Sequence, residues 1–178
     1  MGTCDTDVDA RMLNGYSDPG TWDGTPVTVA DREGFGKLRR RACPRKTLGD
    51  WEPASERADP VAILIGQEQD RVPALVPIRH ARMAASPFAF YRGTAAIMAA
   101  DLGVMPTTEL MTQLCGDAHL ANFGLFASPE RSVVFDLYDF DETAPGPFEW
   151  DVARLTTSFL LACQQNGFTP SKADEVTR

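Results

Sequence analysis

Two acidic loops that bracket a pair of short strand patterns constrain the fold more than any other feature. The first loop lies in CGDAHLANFG, residues 115–124, and the second lies in FDLYDFDET, residues 135–143. Between them, NFGLFA and SVVFDLYDF have the apolar, β-branched and aromatic content of strands, and SPER joins them as a turn. Strands joined by so short a turn form a β-hairpin, which brings its two ends together. The sequence therefore predicts that the two loops meet at the open end of one hairpin.

The residue types in the two loops predict a metal–nucleotide site. Asp117 and Asn122 have the spacing Asp-x-x-x-x-Asn. Phosphoryl-transfer enzymes use this spacing to let an Asp accept the hydroxyl proton while the Asn binds a metal ion. Asp139 supplies the second carboxylate that this chemistry needs, and Asp141 is a further candidate ligand. Mg²⁺ prefers such hard oxygen ligands, and a bound cation would offset the repulsion between clustered carboxylates.

His119 and Arg92 complete the set of candidate site residues. His119 could be a metal ligand, a base or a structural residue, and we favour a loop-orienting role because Asp117 already occupies the base position. Arg92, in FYRG, is the best phosphate-facing cation because a guanidinium offers a rigid bidentate fork. Arg82 and Arg154 are alternatives, and Arg92 could equally pair with one of the acidic loops.

Helical patterns flank this region. One follows Asp59 and Pro60, which suit an N-cap and the first helical position. A second covers residues 88–102, and a third covers FEWDVARLTTSFLLACQQNG. A fourth begins in TPSKADEVTR and stops after about two turns, so we expect the chain to be truncated at its C-terminus. GFGKLR begins like a Gly-rich phosphate loop but lacks its last Gly, so it reads more simply as a turn.

Composition excludes several classes of function. The net charge of −8 provides no general basic field, so we expect no nucleic-acid partner. No apolar run approaches the ~20 residues of a membrane span, and the N-terminus lacks the apolar core of a signal peptide. The 4 cysteines are scattered and form no CxxC pair. We therefore expect a reduced, cytoplasmic protein with no membrane partner.

At these residues the chain resembles a bacterial family, the domain of unknown function 2252 family. The similar segments lie within residues 34–168 and are DPVAILIGQEQDRVPALVPIR, RHARMAASPFAFYRGTAAIMAADL, QLCGDAHLANFG and FDLYDFDETAPGPFEWDVARL. That family in turn looks like a remote branch of the protein-kinase-like superfamily. Aminoglycoside and choline phosphotransferases of that superfamily carry a similar Gly-Asp-x-His-x-x-Asn loop.

The resemblance implies an α+β, protein-kinase-like fold in which the hairpin carrying both loops packs on helices. Residues 1–33, which are rich in Gly, Pro, Thr and Asp and lack sustained periodicity, are interpreted as a flexible N-terminal arm. Residues 34–178 are then the N-terminal part of the kinase-like domain. The family's pattern usually has Asn where this chain has Tyr138, and Lys where it has Ala153. The second difference removes one candidate cation from the site.

The resemblance also implies roles for particular residues. It makes Asp117 the proton acceptor and makes Asn122 and Asp139 the metal ligands. It makes Asp151 a structural anchor in the helix that follows the second loop.

We therefore expect an enzyme, an ATP- and Mg-dependent phosphotransferase that acts on a small-molecule or unknown acceptor. The alternative is a non-catalytic relative that binds nucleotide, or only metal, and acts through a partner protein. A third hypothesis is a metal-dependent hydrolase that uses His119 with Asp117 and Asp139. The sequence names neither the acceptor nor the oligomeric state.

Overall fold

The computed structural model of the protein describes residues 28–177. Within that range the fold is α+β, as predicted, with seven α-helices and two small antiparallel sheets. The helices are α1 (Val29–Ala42), α2 (Pro60–Glu68), α3 (Val76–Met83), α4 (Pro87–Tyr91), α5 (Ala95–Leu102), α6 (Glu149–Gln165) and α7 (Pro170–Thr177). The strands are β1 (Met111–Leu114), β2 (Phe123–Ala127), β3 (Val133–Leu137) and β4 (Ala144–Pro147). Short 3₁₀ helices cover Arg45–Gly49, Pro73–Leu75 and Leu120–Asn122.

The described residues divide between two compact units, 28–47 and 48–177. In the first unit, α1 begins with a capping box, in which the Thr28 hydroxyl accepts from the Asp31 amide at 3.2 Å and the Asp31 carboxylate accepts from the Thr28 amide at 3.0 Å. Such a cap stabilises a helix start by about 1 kcal/mol. Residues 29–33, assigned to the flexible arm, are therefore helical, and GFGKLR lies inside α1 rather than in a turn. The arm before residue 28 lies outside the described residues.

In the second unit, the single helix predicted for residues 88–102 is wrong, because the structure has two helices there, α4 and α5. The Tyr91 carbonyl, at the end of α4, accepts a hydrogen bond from Arg154 at 2.7 Å. Gly93 packs against Met83 so closely that a Cβ atom would lie 2.6 Å from the Met83 sulfur. Contacts with residues distant in sequence thus break a helix that the local pattern favours.

The predicted hairpin is confirmed. Strands β2 and β3 pair antiparallel, with Phe123 opposite Leu137 at the open end. Pairing continues beyond the strands, because the Tyr138 amide donates to the Asn122 carbonyl at 3.2 Å. The last residue of the first loop therefore lies beside the first residue of the second.

A second two-stranded ribbon closes the other end of both loops. β1 pairs antiparallel with β4, with Leu114 opposite Ala144. Thr143 strengthens the junction, because its hydroxyl donates to the Leu114 carbonyl at 2.6 Å. The first loop runs from β1 to β2 and the second from β3 to β4, so each loop spans the same two ribbons. This arrangement holds the two acidic loops side by side.

The predicted helices after β4 are confirmed as α6 and α7. The buried side chains of the first loop and of α6 form a mixed set, and the apolar members include Leu114, Cys115, Ala118 and Cys163. Polar side chains are buried in the same region, among them His119, Asn122, Arg154 and Ser158. Among the helices described, none is both long enough and apolar enough to span a membrane.

Candidate functional site

One side of α6 holds the backbone of the first loop. The Asp151 carboxylate accepts from the Cys115 amide at 2.7 Å and from the Gly116 amide at 3.1 Å. About two helical turns further on, the Ser158 hydroxyl accepts from the Leu120 amide at 2.9 Å. Residues at i and i+7 share a helix face, so a single face of α6 fixes both parts of the loop. The predicted anchoring role of Asp151 is confirmed.

The loops touch at Gly116, which has a φ of +86°. That left-handed conformation favours glycine, and the space available also requires it. A Cβ atom at this position would lie 2.0 Å from the backbone oxygen of Glu142, in the second loop. Gly116 therefore allows the backbones of the two loops to approach closely.

Asp117 forms an ion pair with Arg154 of α6. The Arg154 Nε donates to the Asp117 Oδ1 at 2.6 Å, and Arg154 is only 2% exposed. Arg154 was an alternative phosphate-facing cation in the sequence analysis. That interpretation is wrong, because the guanidinium is buried and engaged by Asp117 and by the Tyr91 carbonyl.

Asn122 is buried at the end of the first loop. Its side-chain nitrogen donates to the Asp117 carbonyl at 2.9 Å, which closes the loop on itself. Because that bond uses the amide nitrogen, the amide oxygen is the group left for a ligand. Tyr138 supports the same segment, since its hydroxyl donates to the Ala121 carbonyl at 2.7 Å.

Asp139 is half-buried at the start of the second loop, whereas Asp141 is exposed. The Cys115 thiol donates to the Asp139 carbonyl at 3.3 Å, and burial raises the pKa of that thiol. The Asp139 Oδ1 accepts from the Asp141 amide at 3.3 Å. The thiol contact and the Tyr138–Asn122 backbone bond keep Asp139 next to the first loop.

The donor set suits a magnesium ion that also binds phosphates. Across residues 28–177, no three His, Cys, Asp or Glu side chains converge into a metal-binding group. Mg²⁺ is usually held by one or two carboxylates, with phosphate oxygens and waters filling the remaining positions. Asn122 and Asp139 provide hard oxygen atoms at adjacent ends of two loops, which fits that pattern.

His119 belongs to the first loop, and its side chain is buried, with the residue only 2% exposed. Its ring meets Phe88 edge-on at 6.4 Å, and its Nε2 is 3.6 Å from the Asp117 Oδ2, beyond hydrogen-bond reach. Burial lowers the pKa of His119 below the ordinary 6.5, and the charges of Arg154 and Arg92 lower it further, whereas the charge of Asp117 and a backbone hydrogen bond raise it. The imidazole is therefore neutral at pH 7, as a packing and loop-orienting role requires.

Arg92 is exposed just beyond α4. Its positive charge contributes to the lowered pKa of His119, so its field reaches the first loop. The guanidinium of Arg154 is enclosed, whereas that of Arg92 faces solvent. Arg92 is accordingly the better of these two cations for a phosphate group.

The His119→Gln substitution is expected to reduce the acid sensitivity of the fold. In the wild-type protein, the unfolded state takes up a proton near pH 6.5 while the folded state resists it, so stability falls as the pH drops through that range. The variant lacks this proton uptake. Urea unfolding at pH 7.5 and at about pH 5.5 should show that the free energy of unfolding falls less with decreasing pH in His119→Gln than in the wild type. An equal fall in the two proteins would contradict the conclusion that the buried histidine is neutral.

Sequence patterns missed Ser158 and the Asp117–Arg154 pair. The pattern that could have found them is polar spacing on α6, where Asp151, Arg154 and Ser158 recur at i, i+3 and i+7. A polar stripe on a packed helix face indicates that the partner it faces is also polar.

One comparison with known proteins gave a match. The sequence model of a family described as "Uncharacterized protein conserved in bacteria (DUF2252)" matches residues 71–178. No curated protein and no solved structure matches the chain. The matched residues contain both ribbons, both acidic loops and the α6 helix that holds them.

Proposed function

The chain belongs to this family of uncharacterised bacterial proteins, and we propose that it is an ATP- and Mg²⁺-dependent phosphotransferase of protein-kinase-like fold. The observation that carries the proposal is the side-by-side arrangement of the two acidic loops between two β-ribbons. Because one loop carries Asp117 and Asn122 and the other carries Asp139, a proton acceptor lies next to two oxygen ligands. A cytoplasmic location accompanies the proposal, since ATP is the phosphoryl donor.

In this proposal the residues of the two loops have different tasks. Asp117 orients the acceptor hydroxyl and accepts its proton. Asn122 and Asp139 hold the ion through oxygen atoms, with Asp141 as a further ligand at the exposed edge. Arg92 binds the phosphates. When bound, Mg²⁺ neutralises charge that develops on the transferred group.

The proposed kinase-like fold is supported by the order of elements. The first acidic loop, a hairpin, the second acidic loop and a helix follow one another along the chain, which is the order that the superfamily resemblance implies. Asp151, in the helix, accepts from the two backbone amides just before Asp117 and so anchors the first loop to that helix.

One observation favours the non-catalytic alternative. Tyr138 occupies a position where the family usually has Asn, and its hydroxyl is bonded to the Ala121 carbonyl. The side chain at this position therefore serves the loop structure rather than a ligand. A relative of this kind would bind nucleotide or metal and act through a partner protein.

The experiment that separates these functions follows the labelled γ-phosphate of ATP with the full-length protein and Mg²⁺. We expect Mg²⁺-dependent phosphate release or transfer in the wild type, and at least a ~100-fold lower rate in Asp117→Asn. Asparagine keeps an oxygen for Arg154, so the variant should still bind nucleotide. Binding without turnover in the wild type would favour the non-catalytic relative, and Mn²⁺-dependent phosphoester cleavage without ATP would favour a hydrolase.

A further inference from the structure

The two carboxylate oxygens of Asp117 have different surroundings. Oδ1 accepts from the Arg154 Nε at 2.6 Å, and the Arg154 Nη2 lies 2.6 Å from the same oxygen. Oδ2 has His119 as a neighbour, but the 3.6 Å separation is too long for a hydrogen bond. Within the described part of the chain, Oδ1 thus accepts hydrogen bonds from Arg154, while Oδ2 has no hydrogen-bond donor.

Arg154 is itself fixed from several sides. Its guanidinium lies 4.1 Å from the centre of the Tyr91 ring, and its Nη2 donates to the Tyr91 carbonyl at 2.7 Å. The Tyr91 hydroxyl in turn donates to the Arg154 carbonyl at 2.9 Å. The Met98 sulfur lies 3.8 Å from Nη1. These contacts hold both the face and the edges of the planar guanidinium, so it has little freedom to rotate. It can therefore fix the orientation of the Asp117 carboxylate.

We propose that Arg154 is a positioning residue, which binds Oδ1 of Asp117 so that Oδ2 is the oxygen that receives the proton. The inference rests on the proposed function. In the step, the acceptor oxygen forms a bond to the γ-phosphorus while the bond from that phosphorus to the bridging oxygen breaks. ADP leaves with that electron pair, and the acceptor proton moves to Oδ2. Arg154 touches none of the reacting atoms and acts through Asp117 alone.

The geometry requires a guanidinium rather than any cation. Two nitrogens of Arg154 reach the Asp117 Oδ1, one of them also donates to the Tyr91 carbonyl, and the flat face stacks on the Tyr91 ring. A lysine ammonium is a compact point charge that cannot reproduce this fork and stack. Arg154→Lys therefore keeps a positive charge beside Asp117 but no longer fixes the orientation of the Asp117 carboxylate.

The test measures phosphate release from Mg·ATP, with water as the acceptor, in the full-length wild type, Arg154→Lys and Tyr91→Phe. Arg154→Lys is expected to lower kcat by at least about 10-fold, with the dissociation constant for Mg·ATP unchanged by calorimetry. Tyr91→Phe removes only one hydroxyl, so it should fold and should lower kcat to a smaller extent. If Arg154→Lys does not fold, a wild-type kcat in Tyr91→Phe overturns the proposal and a lowered one supports it.

Arg57 provides a matched control. It forms a two-point contact with Asp101, at 2.6 and 2.7 Å, and its guanidinium lies 5.3 Å from the centre of the Trp51 ring. Arg57→Lys therefore disrupts the same kinds of contact outside the acidic loops, and its kcat should equal that of the wild type. A wild-type kcat in Arg154→Lys, or weakened Mg·ATP binding, would overturn the positioning role alone. A wild type without turnover would remove the proposed function, and the positioning role with it.

Discussion

Gly116→Ala is expected to lower the free energy of unfolding by at least about 3 kcal/mol and to abolish nucleotide binding. The added Cβ would lie 2.0 Å from the Glu142 backbone oxygen, so one of the loops must move. The φ of +86° adds strain that no other shift can relieve. Chemical unfolding measures the loss of stability, and calorimetry with Mg·ATP measures the loss of binding.

Two other glycines separate crowding from backbone strain. Gly167 has a φ of +71°, but a Cβ atom added there would meet no other atom within 4 Å, so Gly167→Ala should cost only about 1–2 kcal/mol. Gly66, inside α2, has no such neighbour and no positive φ, so Gly66→Ala should stabilise the protein by about 0.5–1 kcal/mol. An equal effect of Gly116→Ala and Gly167→Ala would contradict the close contact between the loops.

The sequence was sufficient to predict the hairpin and the two loops, because their patterns are local. The apolar, β-branched and aromatic residues of β2 and β3 indicate strands, and the short turn between them makes each the pairing partner of the other. Once the hairpin is known, Asn122 and Asp139 must lie close together in space, because they flank its open end. The cap at Asp59, whose carboxylate accepts from the Val61 amide at 3.0 Å, is equally local and was predicted correctly.

The features that the sequence did not predict depend on contacts between distant residues. β4 contains Pro145 and Pro147, which are disfavoured within strands, and its pairing with β1 makes it a strand. The break between α4 and α5 depends on Arg154, which lies 63 residues from Tyr91 along the chain. The same arginine shows that charge alone does not predict whether a side chain faces a ligand or the core.

Asp139→Asn is expected to lower the affinity for Mg·ATP by at least about 100-fold while leaving the fold intact. Asparagine keeps an oxygen that can accept from the Asp141 amide, as Asp139 does at 3.3 Å. The variant loses the negative charge that a divalent ion requires at this position. Calorimetric titration of the full-length protein with ATP, with and without Mg²⁺, measures the difference.

Two neighbouring acidic residues serve as controls for this variant. Asp136→Asn removes a charge within β3, where the carboxylate accepts from the Leu137 amide at 2.8 Å, and should leave Mg·ATP affinity unchanged. Asp141→Asn removes the exposed candidate ligand and should weaken binding less than Asp139→Asn does. Equal weakening by all three variants would indicate a general charge effect rather than a specific ligand.

The location of the bound ion tests the central claim most directly. Mn²⁺ replaces Mg²⁺ and broadens the amide NMR signals of residues near it, so full-length protein with ATP and Mn²⁺ can be compared with the same sample containing Mg²⁺. We expect selective broadening at Asn122 and Asp139 in the wild type and its loss in Asp139→Asn. Broadening that spares either residue in the wild type would contradict a shared ion between the two loops.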